Sequence, residues 1–509
     1  MAYDIRSFIG YNNYKINKKG SDNMEKISTK GRSFVDEYGR ERIFSGLNVC
    51  DKYHFGTGKT DYAYSPEDFP FDRFVELGFN IIRLGFTWSV IEPQPRVYNN
   101  KFLSSVERFL NKCSEKGIYV FLDMHQDLYS FYCYGDGAPR WATLTDKYVP
   151  FKPKFVWAEP YFYGRACHRA FDNFWDNKTV NGIGLQDYFA DAWKHIAERF
   201  KDHSALFGFD ILNEPFPGSA GMKMSKKVVG QVAYVTLKDK RIKKTKLIRD
   251  ALGKEKPRAL DQYNEEIMKA LIPEKVEEIY RFDTQRYMPF LNKTASAIRE
   301  ATDNGIIFIE NCYFSNIGIP CSNSPITVKG KIEPQQCFAP HAYDIMVDTP
   351  AYKYANNSRV GFLFNQHRKT QERLDIPVLV GEWGGNAEGT EWFPHVEYLL
   401  NLFDGYKWSN TYWCYVDGLF DKQLMSVLSR PYPKAVTGFI DYHKYDKEAK
   451  TFTLRFTQDK QFDVPCVIYS PFECKSVETD GKYEIKPLGC AYEVYITTGK
   501  GKHTVKLSF

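Results

Sequence analysis

Residues 206–217 read LFGFDILNEPFP, an apolar run that ends abruptly in an amide, a carboxylate and two prolines. Leu206, Phe207, Phe209, Ile211 and Leu212 show no alternation with polar residues, which suits a strand covered on both faces in a parallel sheet. Pro215 stops that strand and keeps the backbone of Glu214 out of the right-handed helical region. The stretch therefore predicts a carboxylate held at a fixed angle on a strand rim. By itself Asn-Glu-Pro fits a surface turn equally well, so a second carboxylate has to decide its meaning.

Working outward, seven more runs of the same character occur: IFSGLN (43–48), FNIIRLG (79–85), IYVFLDM (118–124), GIIFIEN (305–311), CFAPHAY (337–343), IPVLVGEW (376–383) and SNTYWCY (409–415). Helical patterns alternate with most of them. One is Phe102 to Lys116, where Phe102, Leu103, Val106, Phe109, Leu110 and Cys113 share one face and Gly117 caps the end. Others fall at 71–77, 185–200, 284–303, 359–374 and 392–403. Eight strands alternating with helices predict an α/β chain built on a (β/α)8 TIM barrel. A doubly wound sheet is disfavoured because its glycine fingerprint is missing.

A barrel of roughly 250 to 400 residues leaves room in 509 residues for one small module. Beyond Arg430 short alternating stretches such as TFTLRFT (451–457) are separated by Gly, Pro and Asp, which predicts an antiparallel β-sandwich. The expected organisation is a polar, poorly ordered lead-in over 1–30 and a catalytic barrel over 31–429. Insertions are expected near 128–183 and 218–282, and a C-terminal sandwich over 430–509, with RPYPK (430–434) as linker.

The composition is 43% apolar and 26% charged, that of an ordinary globular protein, but aromatics reach 16%. Flat rings suit sugars as well as cores. A net charge of +6 is small for this length and gives no reason to expect nucleic acid as a partner. It is unevenly spread, with thirteen Lys or Arg against three Asp or Glu between residues 221 and 258. Such a run reads first as a solvated face and second as attraction to an anionic membrane. No long apolar segment or secretory signal is visible, so a cytoplasmic setting is expected. Eleven cysteines lie singly with no C-x-x-C pair, which predicts reduced thiols; Cys466, Cys474 and Cys490 could pair in an oxidising compartment.

In a barrel the chemistry sits at strand C-terminal ends. Those ends carry Asn48, Arg83, His125, Asn213 with Glu214, Asn311, His341 with Tyr343, Glu382 and Trp413. A lone Arg in a strand is as often a core ion-pair partner, and each His alone is more often structural. It is their convergence that points to function. Glu214 and Glu382, on the fourth and seventh strands, face each other across the mouth, and two carboxyl groups so placed are what glycoside hydrolysis needs. Glu214 is assigned as acid and later base, and Glu382 as nucleophile, with Arg83 and Tyr343 bonded to Glu382 to keep it ionised. Asn213 is expected to hold the sugar 2-hydroxyl. No cofactor and no metal is expected, since no short ligand motif such as H-E-x-x-H occurs.

Asn213-Glu214-Pro215, Glu382 in GEWG, Arg83 in IIRLGFTW, His341 with Tyr343, and Trp413 together resemble the site pattern of glycoside hydrolase family 5. DMHQD (123–127) and the C-terminal module resemble its endoglycoceramidase-like branch. The resemblance implies a retaining mechanism, with Trp413 as a stacking floor and His125, Asp127 and Lys52 on sugar hydroxyls. It implies cleavage between glycan and lipid aglycone, typically glycosphingolipid to sugar plus ceramide, with the loops at 141–175 and 218–282 walling a lipid channel. The alternatives are a β-glucosidase acting on glucosylceramide or a steryl glucoside, an endo-β-1,4-glucanase, and a glycolipid-binding protein on an inactive barrel. The sequence leaves the oligomeric state open.

Overall fold

The structure, a computed structural model, describes residues 24–509 apart from 60–61, 155, 254–255, 275, 348, 350 and 386–387. Eight strands form the barrel: β1 (Ser45–Cys50), β2 (Ile81–Thr87), β3 (Tyr119–His125), β4 (Leu206–Asp210), β5 (Ile306–Ile309), β6 (Gln336–Phe338), β7 (Leu379–Gly384) and β8 (Ser409–Trp413). Each pairs in parallel with its sequence neighbours, and β8 returns to β1. Parallel bridges Phe338↔Val378 and His341↔Glu382 close the ring between β6 and β7. The second of these sets His341 beside Glu382 by main-chain register.

The strands are buried on both faces, which is why their sequences do not alternate. Val120, Leu122, Ile307 and Val380 face the surrounding helices. Ile81, Tyr119, Phe121, Phe207, Phe308 and Leu379 fill the interior. Phe121 and Phe308 stack at 4.6 Å. Helix Asn100–Glu115 buries the predicted face and ends where Gly117 takes φ +69°.

The chain before the barrel differs from the expectation of a lead-in to residue 30. Strands Ile27–Lys30, Ser33–Asp36 and Arg40–Arg42 form an antiparallel meander, and Phe34 enters the interior core with Phe44 and Phe207. Residues 1–23 lie outside the described residues. The meander continues into the C-terminal module, because Arg40–Arg42 pairs antiparallel with Tyr432–Thr437. RPYPK is therefore not a linker. Its Pro433, which has no N–H to give a ladder, sits where the pairing of Tyr432–Thr437 with Cys466–Ser470 shifts register.

The module is a sandwich of this seven-stranded sheet and a four-stranded one built on Phe439–Asp446, Thr451–Gln458 and Gly501–Ser508. Val436, Ile468 and Val494 meet Leu454, Phe456 and Leu507 in its core. The insertion after β4 is mainly helical, with helices Ser219–Lys238, Lys244–Leu252, Glu265–Leu271 and Glu277–Phe282. Among the described residues no helix is long and apolar enough to cross a membrane. All eleven cysteines are free: Cys466 is buried against Thr437, and Cys490 lies beside Arg73.

Candidate active site

Strand β4 ends at Asp210, and an irregular turn carries Asn213 and Glu214 over the mouth. Glu214 has φ +43°, a left-handed conformation that side-chain-bearing residues rarely take. Three hydrogen bonds hold it there. Its N–H donates to Oε2 of Glu310 at 2.7 Å, and Nε2 of Gln126 donates to the carbonyls of Asn213 and Glu214 at 2.9 and 3.1 Å. Its side chain is fixed separately, for Asn316 Nδ2 donates to Oε1 at 2.7 Å and His341 Nδ1 lies 3.1 Å from the same oxygen.

Glu382 accepts from Arg83 Nη1 at 2.6 Å and from the Tyr343 hydroxyl at 3.0 Å. His341 Nδ1 is 3.6 Å from its Oε2, so one imidazole sits between the two glutamates. Carboxylate oxygens of Glu214 and Glu382 lie within 4.8 Å of one another. That is the range of a nucleophile and acid pair, and short of the roughly 6.5 Å or more that a water-activating pair needs. Burial pushes the Glu382 carboxyl up from its ordinary value, and the Arg83 charge opposes it. Burial also drives His341 down to about 3, so that it is neutral at pH 7. The expectation that donors hold Glu382 as an anion thus meets a counterweight in desolvation.

Arg83 is the hub. Wholly buried, it also binds Asp210 (2.8 Å), Asp123 (3.0 Å), Glu310 (2.7 Å), Asn48 (3.2 Å) and Asn213 (3.0 Å). Four carboxylates around one guanidinium cannot all stay ionised. Burial accordingly raises Asp210 to about 6 and pushes Glu310 well above its ordinary range. Asn213 is tied down at both ends of its amide, to Arg83 and to the carbonyl of Gln126 at 3.0 Å.

Beside the glutamates, Trp413 stacks on His125 with ring centroids 5.4 Å apart. Lys52 donates to Asp127 and to Asp136 (2.9 Å), and its Nζ lies 3.1 Å from His125 Nε2 and 5.8 Å from the Trp413 ring centre. Burial disfavours a charged His125, but Asp123 and Asp127 outweigh it and hold the imidazolium up to about 10. This flank is polar, charged and partly exposed, the character of a sugar-hydroxyl site.

All ten predicted residues come together. Sequence reasoning missed Glu310, Asp123, Asp210, Gln126, Asn316 and Asp136 as parts of the machinery. A carboxylate inside an apolar strand run, as in FLDMH, GFDI and FIEN, was the available signal for the first three; nothing marks Asn316, which arrives on the turn Tyr313–Ile317. The aromatic loop is divided, with Trp157 and Tyr163 41% and 68% exposed and other rings buried. Tyr161 and Trp175 are buried, packing on Phe216 and Phe282. Trp141 packs on Trp88, while Phe155 lies outside the described residues. Among the described residues four acid-bearing trios are close enough to hold a metal ion, Cys50/Asp123/His125, His125/Asp127/Asp136, Glu214/His341/Glu382 and Asp123/Asp210/Glu310. A cation of the chain already stands at each, Lys52 at the second and Arg83 at the other three.

Two glutamates across the mouth of a (β/α)8 barrel, one bound by arginine and tyrosine, are the layout of the barrel glycosidases. The chain belongs to glycoside hydrolase family 5: residues 35–418 match Cellulase (glycosyl hydrolase family 5), and residues 430–506 match the Glycoside hydrolase family 5 C-terminal domain. It is 34% identical over 217 residues to an endoglycoceramidase of Cyanea nozakii, covering 38% of this chain and 42% of that one. It is 30% identical over 249 residues to an endoglycoceramidase of Hydra vulgaris, covering 44% and 47%. The matched stretch thus spans less than half of these relatives. The solved endo-glycoceramidase II from Rhodococcus sp. superposes with TM-score 0.72 at 23% identity over 94% of this chain and 99% of that one, a likeness of fold.

Proposed function

We propose that this chain is a retaining β-glycosidase that cleaves the β-glucosidic bond between a glycan and a lipid aglycone, releasing sugar and ceramide from glycosphingolipids. The observation that carries it is the pair Glu214 and Glu382, with oxygens within 4.8 Å and distinct surroundings. Glu382 faces a guanidinium and a phenol, both donors, which suits an attacking anion. Glu214 faces a neutral imidazole and an amide, which suits a group that holds a proton and returns it. Glu382 attacks the anomeric carbon as Glu214 protonates the departing oxygen. Glu214 then takes a proton from water, which displaces Glu382 with overall retention. Asn213 is assigned to the 2-hydroxyl; Trp413, His125, Asp127 and Lys52 hold the reacting sugar.

The lipid part of this reading is supported by the relatives named endoglycoceramidase. A cytoplasmic setting is part of it too, consistent with eleven free thiols, and so is membrane attraction through the basic 221–258 segment. Incubating the protein with glucosylceramide, lactosylceramide, a steryl glucoside and cello-oligosaccharides, and identifying the released sugar and its first-formed anomer, tests it. Release of β-anomeric glycan from the glycolipids is expected. Turnover of cello-oligosaccharides alone would replace the lipid reading by an endoglucanase, and no turnover at all would leave a binding protein.

A further inference from the structure

The helical insertion after β4 carries large apolar side chains that nothing in the described chain covers. Val229, Tyr234 and Leu237 on helix Ser219–Lys238, and Ile248 and Leu252 on helix Lys244–Leu252, are 58–81% exposed. On the first helix Val229 and Leu237 lie opposite Met224 and Val235, which are buried, and Tyr234 lies to the side. The second helix buries no residue at all, although Ile248 and Leu252 are one turn apart on one face. So much exposed apolar area in one insertion marks a surface built to meet something.

The charges around it say what. Lys223, Lys226, Lys238, Lys240 and Lys244 are exposed and form no salt bridge among the described residues. The 221–258 segment as a whole has thirteen basic side chains against three acidic ones. The cores of protein–protein interfaces are depleted in lysine. Helices that lie in the surface of an anionic bilayer combine lysine with isolated large apolar side chains, the aliphatic stems reaching past the apolar groups toward the headgroups. The helix is also placed for such contact. It starts just beyond Glu214 and Pro217, and the N–H of Ser219 is held by Asp172 Oδ1 at 2.9 Å on the rim helix Arg165–Trp175.

We propose that helices Ser219–Lys238 and Lys244–Leu252 form a docking face for an anionic lipid bilayer, inserting Val229, Tyr234, Leu237, Ile248 and Leu252 among the headgroups beside the barrel mouth. This deepens the glycolipid reading, and as a binding property it is measured separately from it. The substrate's polar head would then be drawn from the same leaflet the face rests on.

The test uses the full chain with vesicles of phosphatidylcholine alone and of phosphatidylcholine with phosphatidylserine, by co-sedimentation. Binding to the anionic vesicles is expected to exceed binding to neutral ones by about tenfold or more and to fall as salt is raised. Leu237→Ser with Leu252→Ser, and separately Lys223→Glu with Lys226→Glu, are each expected to weaken it severalfold. Both pairs are solvent-facing, and turnover of a water-soluble aryl β-glucoside, unchanged in each, reports that the barrel is intact. Equal partition into neutral and anionic vesicles, or binding that neither pair of substitutions lowers, overturns the proposal. Anionic-vesicle binding by a protein that cleaves no glycolipid upholds the docking face and removes the proposed reaction instead.

Discussion

Oε2 of Glu310 accepts the main-chain N–H of Glu214 at 2.7 Å while its Oε1 binds Arg83 Nη2 at 2.7 Å. One buried side chain therefore ties the backbone of one glutamate of the pair to the guanidinium that grips the other. A left-handed φ at Glu214 persists only because its surroundings impose it.

Glu310→Gln keeps the shape but replaces one carboxyl oxygen by an NH2 group, which turns a donor toward either Arg83 or the Glu214 N–H. A fall in kcat of about 10²-fold, the scale on which small misplacements of reacting groups act, is expected with KM little changed. The pH profile should shift, because Glu382 loses a competitor for Arg83. Steady-state kinetics on an aryl β-glucoside measure all three.

The two glutamates should fail in different ways. Glu382→Gln is expected to lose activity by on the order of 10⁵-fold on every substrate, as when a nucleophile is removed. Glu214→Gln should lose about 10² to 10⁴-fold on lipid glycosides. With a leaving group that needs no proton it should keep the first step and accumulate glycosyl-enzyme, seen as a burst and as added mass on Glu382. Equal losses on both kinds of leaving group would reverse the assignment.

Asp283, buried at the turn that leads into helix Met288–Ala301, accepts the Ser322 N–H at 2.7 Å. Burial raises its carboxyl from 3.8 to about 7. A group raised on folding contributes stability that is fully present below its unfolded value and is lost as pH rises through the folded one. Asp283 should therefore cost the folded state progressively between about pH 4 and pH 7, by about 4 kcal/mol at most. Asp283→Asn should raise Tm at pH 7 and leave it nearly unchanged at pH 4, as followed by calorimetry across that range.

Among the described residues Lys52 is the one cation bound to both Asp127 and Asp136, and it borders Trp413. Lys52→Met leaves those acids facing each other in a partly exposed pocket, so the sugar loses a donor and meets repulsion. KM should rise by about tenfold, a hydrogen bond to a charged group being worth roughly 1.5 kcal/mol or more, with a smaller change in kcat. Isothermal titration with a glucose-configured inhibitor separates the binding loss from any loss of rate.

The barrel was legible because its strands are buried on both faces, so that continuous apolar runs mark them without ambiguity. Glu214, Glu382, His341 and Trp413 were legible for a related reason, each lying at or near the end of such a run, while Arg83 stands out as a charge inside one, third in Ile81–Thr87. Asn316 and Asp136 were not, because they come from turns whose path depends on tertiary packing. The role of Glu310 could not be seen from FIEN, since its partners lie on other strands. Two organisational readings failed where strands gain their partners in the folded sheet. Residues 27–30 are polar enough to look like a tail and RPYPK rich enough in proline to look like a hinge. Ile27–Lys30 is a strand because it folds back on its neighbour Ser33–Asp36, and Tyr432–Thr437 is one because it finds Arg40–Arg42, hundreds of positions earlier.

That pairing has a consequence for how the protein is made. Arg40–Arg42 can complete its hydrogen bonds only when Tyr432–Thr437 has left the ribosome. Until then the meander holding Phe34 beneath the barrel keeps an open strand edge, vulnerable to wrong partners. Synthesis of the last sheet is thus what seals the first, and a chain halted near residue 420 would carry every group of the active site on a barrel whose floor is unfinished.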